Sequence, residues 1–316
     1  LLFDKPALSI DQLVTKLTER GLIVANAERA KRYLLNIGYY RLSAYMLPFR
    51  RNNQNHLFVE NVNFDSVLNL YIFDRKLRLL LLDAIERLEI SLRAQLIDNT
   101  VMLIGPHGYL DKNNFHQNYN HQWLLSKIES EMEASREVFI EHYKRKYTTP
   151  QLPPFWMVMQ LLTFKEMTFL LRGIKDSSIA NNIAAYLDVK NDILFSWSRS
   201  ISDLRNLCAH HNRIWNRVFG SKPKLPKKAP SKWPSNILNS FEFSLYNGNL
   251  TTIDPQSSLC YQIVIIWHWM KKINPTSNWM QRFLSIIDEH KIDAGFMGFH
   301  RDALSDEFWL KPEIKQ

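Results

Sequence analysis

The segment Asp203-Leu204-Arg205-Asn206-Leu207-Cys208-Ala209-His210-His211-Asn212-Arg213-Ile214-Trp215-Asn216-Arg217 concentrates imidazole, amide and guanidinium groups behind an apolar helical run. Such groups suit cleavage of RNA through its own 2′-hydroxyl. Imidazole exchanges protons near neutral pH, and guanidinium holds a phosphate and offsets charge on its nonbridging oxygens. The scheme requires no metal or other cofactor, and the segment carries no carboxylate cluster suited to a two-metal nuclease. Arg205 and His210 are five residues apart, about 140° around an ideal helix, so their stems do not project together. A long arginine or a local end to the helix would bring the two functional groups near one phosphate. Asn206 and His210 are i,i+4 neighbours, which makes Asn206 a candidate orienter of the imidazole or a helix-stabilising contact. An arginine and a histidine at this spacing, taken alone, are more often structural.

The elements that must position this segment read as helices. Ser9 can cap a helix carrying Ile10, Leu13, Val14 and Leu17 that Gly21 stops, and Ala27 to Ile37 forms a second, ended by Gly38. An aromatic-rich third element runs from Tyr39 to Phe49. From Asp65 to about Asn99 the apolar residues Leu68, Ile72, Leu77, Leu81, Ile85, Leu88 and Leu92 repeat at three to five residues, the strongest periodic signal in the chain. We expect this long helix to pack against the helix leading into Arg205. Its other face aligns Arg75, Glu86 and Arg93, with Glu89 able to pair with Arg93. That stripe is either a solvated face or a polar network of Glu86, Glu89 and Arg93 that orients Arg205 or His210. Further helices are expected over Trp123 to Tyr147, Ser178 to Leu187, Asp192 to Cys208, Ser257 to Lys272 and Ser277 to His290. The fold class is therefore all-α, divided into an accessory helical segment (1–50), a helical core (65–220), a basic loop (221–236) and a C-terminal helical segment (237–316).

Composition narrows the partners. There are 40 basic and 31 acidic side chains, a formal net charge of +9, which favours a polyanionic partner. The stretch 220–236 is rich in proline and lysine. Lys222, Lys224, Lys227, Lys228 and Lys232 have no acidic neighbours in sequence, so they form either a solvated linker or a phosphate-contacting arm. His211 and Arg213 are further candidates for RNA contact. Cys208 and Cys260 lack metal-site spacing, and two cysteines form no disulfide framework, which fits a reducing compartment. Charges interrupt every apolar run before membrane-spanning length, and Leu1-Leu2-Phe3-Asp4-Lys5-Pro6 lacks the pattern of a signal peptide. A cytoplasmic protein without a membrane partner is expected.

Several ordered blocks carry a resemblance. They are Phe3-Asp4-Lys5-Pro6, Arg20-Gly21-Leu22, Gly38-Tyr39-Tyr40-Arg41-Leu42-Ser43-Ala44-Tyr45, Tyr71-Ile72-Phe73-Asp74-Arg75-Lys76-Leu77-Arg78, Ile85-Glu86-Arg87-Leu88-Glu89-Ile90-Ser91-Leu92-Arg93, Leu152-Pro153-Pro154-Phe155-Trp156 and Leu204 to Asn216. With these the chain resembles the abortive-infection proteins of the Abi-D/Abi-F type, a phage-defence family within the HEPN superfamily, over about its first 220 residues. The resemblance implies a HEPN-like helical domain, a metal-independent endoribonuclease with Arg205 and His210 as its arginine and histidine and Asn206 as the polar residue between them. It also implies a homodimer that brings two such motifs together, and a small noncoding RNA that binds or restrains the protein. A Glu-x-Leu-Ser-Phe-Gly-like block of the family is replaced here by Gln160-Leu161-Leu162-Thr163-Phe164-Lys165. The competing class is a noncatalytic RNA-binding or assembly protein that retains the motif for structure.

Overall fold

Several helices of this chain begin where a short polar side chain takes over the free amides of the first turn. In the computed structural model, which describes residues 2, 6–51, 56–227, 233–234, 237, 241–244, 250–300 and 303–310, Ser9 accepts from the Gln12 amide while the Gln12 side chain accepts from the Ser9 amide. This reciprocal cap opens α1 (Ile10–Glu19). Asn26 caps α2 (Ala27–Ile37), and Gly38, at φ 87°, lets the chain turn at once into α3 (Tyr39–Met46). Asn63 caps α4 (Phe64–Ile104). There follow α5 (His121–Ala134), α6 (Val138–Lys146), α7 (Phe155–Leu161), α8 (Phe164–Gly173), α9 (Ser177–Tyr186) and α10 (Asn191–Ala209). The C-terminal part holds α11 (Leu259–Ile273) and α12 (Trp279–His290).

Two local departures from the sequence expectation have physical causes. The helix expected over Trp123 to Tyr147 is broken at Ser135, where the backbone turns extended and the Ser135 hydroxyl accepts from the Glu137 amide. The break lets Met132, Ile140 and Tyr143 pack on one another in a small satellite core. The all-α expectation also misses an antiparallel pair, β1 (Phe241–Ser244) and β2 (Leu250–Ile253), in register from Phe241 opposite Ile253 to Ser244 opposite Leu250. Phe241-Glu242-Phe243-Ser244 alternates apolar and polar residues, and β2 carries the β-branched Thr251, Thr252 and Ile253, which suit a pleated pair.

The 41 residues of α4 make a rod of about 60 Å at 1.5 Å per residue, and the other elements wrap it. Helices α3, α7, α8, α9, α10, α11 and α12 all pack on it, so the expected pairing with the helix leading into Arg205 is present as α4 against α10. Its stripe Leu77, Leu81, Ile85, Leu88, Leu92 and Leu96 is buried. From α12, the fully buried Trp279 donates its indole N–H to the Leu80 carbonyl at 2.7 Å. Buried side chains from Leu17 in α1 to Trp309 belong to one contiguous cluster, which crosses the segment boundaries drawn at residues 50 and 237. No helix of the described residues is long and apolar enough to cross a membrane.

Within that core, His268 of α11 sits among Trp197 and Trp233, and its Nδ1 accepts from the Trp233 indole at 3.3 Å. Burial pushes its pKa down from 6.5 to about 4. Between those values the unfolded chain binds the proton and the folded chain does not, so this group's contribution to stability is present above about pH 6.5. It is lost as pH falls toward 4. Urea denaturation at pH 7 and pH 4 should show that His268→Gln loses less stability on acidification than wild type, by up to about 3 kcal/mol. Parallel losses in the two proteins would contradict a neutral buried imidazole.

Candidate active site

Helix α10 ends in a tight reversal. The Asn212 amide donates to the Leu207 carbonyl at 2.9 Å and the His211 amide to the Cys208 carbonyl at 3.0 Å, the two bonds of a Schellman motif. His210 is the capping residue, and His211 holds the left-handed position at φ 59°, where glycine is the usual occupant. A side chain there costs on the order of 1 kcal/mol, so surrounding bonds must hold the turn. Arg41 of α3 donates to the His211 carbonyl at 2.7 Å and Arg213 donates to the Ala44 carbonyl at 2.8 Å. Cys208, on the buried side of α10, is no nucleophile, because burial pushes its thiol up to about 12.

The strongest hold on the turn is the carboxylate of Asp74, wholly buried in α4. Its Oδ1 accepts from the backbone amides of Ile214 at 3.1 Å and Trp215 at 2.7 Å. Its Oδ2 accepts from the Tyr45 hydroxyl at 2.6 Å and from the guanidinium of Arg78, one turn further along α4. Burial pushes the Asp74 carboxyl above its ordinary range, and Arg78, Tyr45 and the two amides pull against that shift. Arg78 also reaches the Asn212 carbonyl at 3.4 Å. Sequence reasoning passed over Asp74 and Arg78 in favour of the Glu86 stripe. The available signal was that both charges fall in line with Leu70, Leu77 and Leu81 on the apolar side of the helix.

Two pairs of grooves flank α10. On one side, His210, Asn206, Asn212 and Arg217 line a cleft of about 300 Å³. Through Asp203, Gly220 and Ser221 it adjoins a larger groove lined by Arg172, Arg199, Lys222 and Lys224. On the other side, Arg205 shares a groove with Glu86, Glu89 and Arg93 of α4, and a neighbouring one holds His211, Arg41, Arg75 and Arg78. Arg205 and His210 therefore line different grooves of one chain.

The remaining candidate residues take various places. Arg205 donates to the Asn206 amide oxygen at 3.3 Å, so that oxygen is turned toward the arginine. Among the described residues, no hydrogen bond or ion pair fixes the imidazole of His210. Glu89 and Arg93 pair at 2.7 Å, and Arg93 also donates to the Leu162 carbonyl at the end of α7; Glu86 is exposed. The three line the Arg205 groove without a hydrogen bond to Arg205 or His210 among the described residues. Two lysines of the basic loop find acids from distant sequence: Lys222 pairs with Asp254 at 2.6 Å and Lys224 with Asp192 at 3.4 Å. The backbone of Lys224 is pinned as well, its carbonyl accepting from Trp197 and Tyr261. Lys227 is exposed, whereas Lys228 and Lys232 lie outside the described residues. Among the described residues, no group of three or more His, Cys, Asp or Glu side chains is placed to hold a metal ion.

A helical protein built around one long helix, with a polar site at the reversal that ends α10, is thus defined. A family model described as Abi-like protein matches residues 32–216, which take in α3, α4, Asp74 and the whole α10 reversal. The chain belongs to the Abi-like protein family. No curated protein and no solved structure matches it.

Replacing Asp74 with Ala strands the buried Arg78 guanidinium, two amides and a hydroxyl, and should cost about 3–5 kcal/mol in chemical denaturation. Tyr45→Phe removes one neutral donor and should cost about 1 kcal/mol. Similar small losses for both would show that the carboxylate does not anchor the turn.

Proposed function

We propose that this Abi-like protein is an endoribonuclease of phage defence, with a HEPN-type core formed by α4 and α10. The observation that supports this reading most is the exposed His210, held at a rigid helix end and lining a cleft with Asn206 and Arg217. In the proposed reaction His210 takes the proton of a ribose 2′-hydroxyl. The 2′-oxygen bonds to phosphorus, the bond to the 5′-oxygen breaks, and that oxygen receives a proton from a second group. The products are a 2′,3′-cyclic phosphate and a 5′-hydroxyl. Arg205 offsets charge on the nonbridging oxygens, and Asn206 orients Arg205, which it already contacts.

Because Arg205 and His210 line different grooves, a complete centre combines Arg205 of one protomer with His210 of a second, so the active form is a homodimer. The second proton-transfer group is then one that the dimer interface brings to the leaving 5′-oxygen. Arg213, His211 and the lysines at 222, 224, 227, 228 and 232 contribute phosphate contacts, and a small noncoding RNA on this basic surface restrains the enzyme until infection. The separation of Arg205 from His210 within one chain also favours a second reading, a noncatalytic RNA-binding protein, which the same assay tests.

Protein freed of copurifying RNA, incubated with a diverse RNA pool in excess chelator, should give fragments with 2′,3′-cyclic phosphate and 5′-hydroxyl ends. His210→Ala should lower the rate at least about 100-fold. Arg205→Ala should lower it by about 100-fold or more while leaving the fold intact. Equal activity in wild type and both folded variants would remove these residues from the reaction. Absence of cleavage by RNA-free dimers would favour the noncatalytic reading.

A further inference from the structure

On the side of α10 that carries Arg205, the neighbouring groove gathers guanidinium groups without carboxylates. It holds about 470 Å³ and is lined by Arg41 of α3, Arg75 and Arg78 of α4, and His211, with no acidic side chain among the residues that line it. Arg41 and Arg78 donate to the carbonyls of consecutive residues, His211 at 2.7 Å and Asn212 at 3.4 Å, so their guanidinium groups meet at one turn. Arg75 stands one turn before Arg78 on α4 and projects from the same side of the helix. The three arginines are not equivalent. Arg78 is buried and its charge is answered by Asp74. Arg41 and Arg75 are exposed, and among the described residues neither has a carboxylate partner; Arg75 has no hydrogen bond or ion pair there at all. Arginine does not relieve such a concentration of charge by giving up its proton, so the groove favours an anion.

A guanidinium fork matches the paired oxygens of a phosphate. Arg41 is already held by the His211 carbonyl, which lowers the entropy lost when it takes a ligand. Leu79 and Leu82 line this groove and also the Arg205 groove, so the two adjoin. A free anion needs only the first, whereas a strand of linked phosphates fills both. We infer that Arg41 and Arg75 clamp a phosphate of an RNA strand beside the phosphate that Arg205 holds, which makes the α3–α4 face a track for the substrate. The inference rests on the reading of the protein as an RNA-cleaving enzyme. Neither arginine belongs to the polar cluster from Arg205 to Arg217 or to the lysine-rich loop, so the track is a separate contact with the strand. Phosphate contacts carry no base information; this one fixes the position of the strand and not its sequence.

The test measures binding of a single-stranded RNA of mixed sequence by RNA-free protein carrying His210→Ala, across a range of salt concentrations. In that background Arg75→Gln should weaken binding about fivefold or more at low salt and lower the log–log salt slope by about 0.7, the value for one phosphate contact on a single strand. Arg145→Gln removes the same charge from α6, where it lines none of the grooves beside α10, and should change affinity by less than about twofold. Arg41→Lys keeps a charge but loses the fork; it should weaken binding about threefold or more, and it carries the test if the Arg75 variant does not fold. Equal affinity and slope in the parent and Arg75→Gln, or an equal loss in Arg145→Gln, would overturn the inference. AMP or polyglutamate binding as tightly as the RNA would overturn it too, in favour of a nucleotide pocket or an acidic-peptide site. Failure of the nuclease reading looks different: a wild type that cleaves no RNA but binds it through Arg75 keeps the track and removes the reaction. Cleavage with binding unaltered in Arg75→Gln removes the track alone, and absence of both binding and cleavage would overturn both.

Discussion

Four donors from three parts of the chain converge on the Asp74 carboxylate: the Tyr45 hydroxyl of α3, the Arg78 guanidinium of α4, and the amides of Ile214 and Trp215 beyond α10. Without it the two amides and the hydroxyl would lose their buried acceptor and Arg78 its counter-charge, and the carboxylate would be an isolated buried charge without them. This mutual requirement fixes where the chain goes after α10. It turns back over the N-terminal half of α4, and the residues that follow reach the start of α11 through a segment pinned at Lys224 by Trp197 and Tyr261. The left-handed His211 is held directly by Arg41, which donates to its carbonyl, and the reversal is tied to α3 by Arg213.

The functional consequence lies in the division of α10 into two polar sides. One presents His210 in the cleft that Asn206 and Arg217 also line; the other presents Arg205 over the α4 groove with Glu89 and Arg93. Charge is distributed with similar economy. Lys222 and Lys224 have acidic partners, but as exposed pairs these are worth little and are screened by salt, so they leave the lysines available to a competing phosphate.

Much of the helical framework was legible in the sequence because local rules govern it. Ser9, Gly38 and the three-to-five-residue spacing from Leu68 to Leu92 mark boundaries and faces that the structure contains. The cluster from Arg205 to Arg217 was also visible as an accumulation of polar groups. What was not legible depends on contacts between distant residues. Asp74 and Ile214 are separated by 140 positions, and nothing local to either announces the other. The acids that meet Lys222 and Lys224 stand about thirty residues away on either side, so a loop without acidic neighbours in sequence is partly neutralised in space. The β1–β2 pair escaped because runs of four residues are too short to show a period of their own.

The claim that the buried carboxylate holds the site turn is tested most directly by hydrogen exchange of the segment 210–216. With Asp74 accepting from both amides, Ile214 and Trp215 should exchange as slowly as the buried middle of α4, through global unfolding alone. In Asp74→Asn, which sets an amide against the Arg78 guanidinium, both should exchange at least about tenfold faster than α4 in the same protein. Exchange of these two amides at the rate of an exposed loop in wild type would contradict the account.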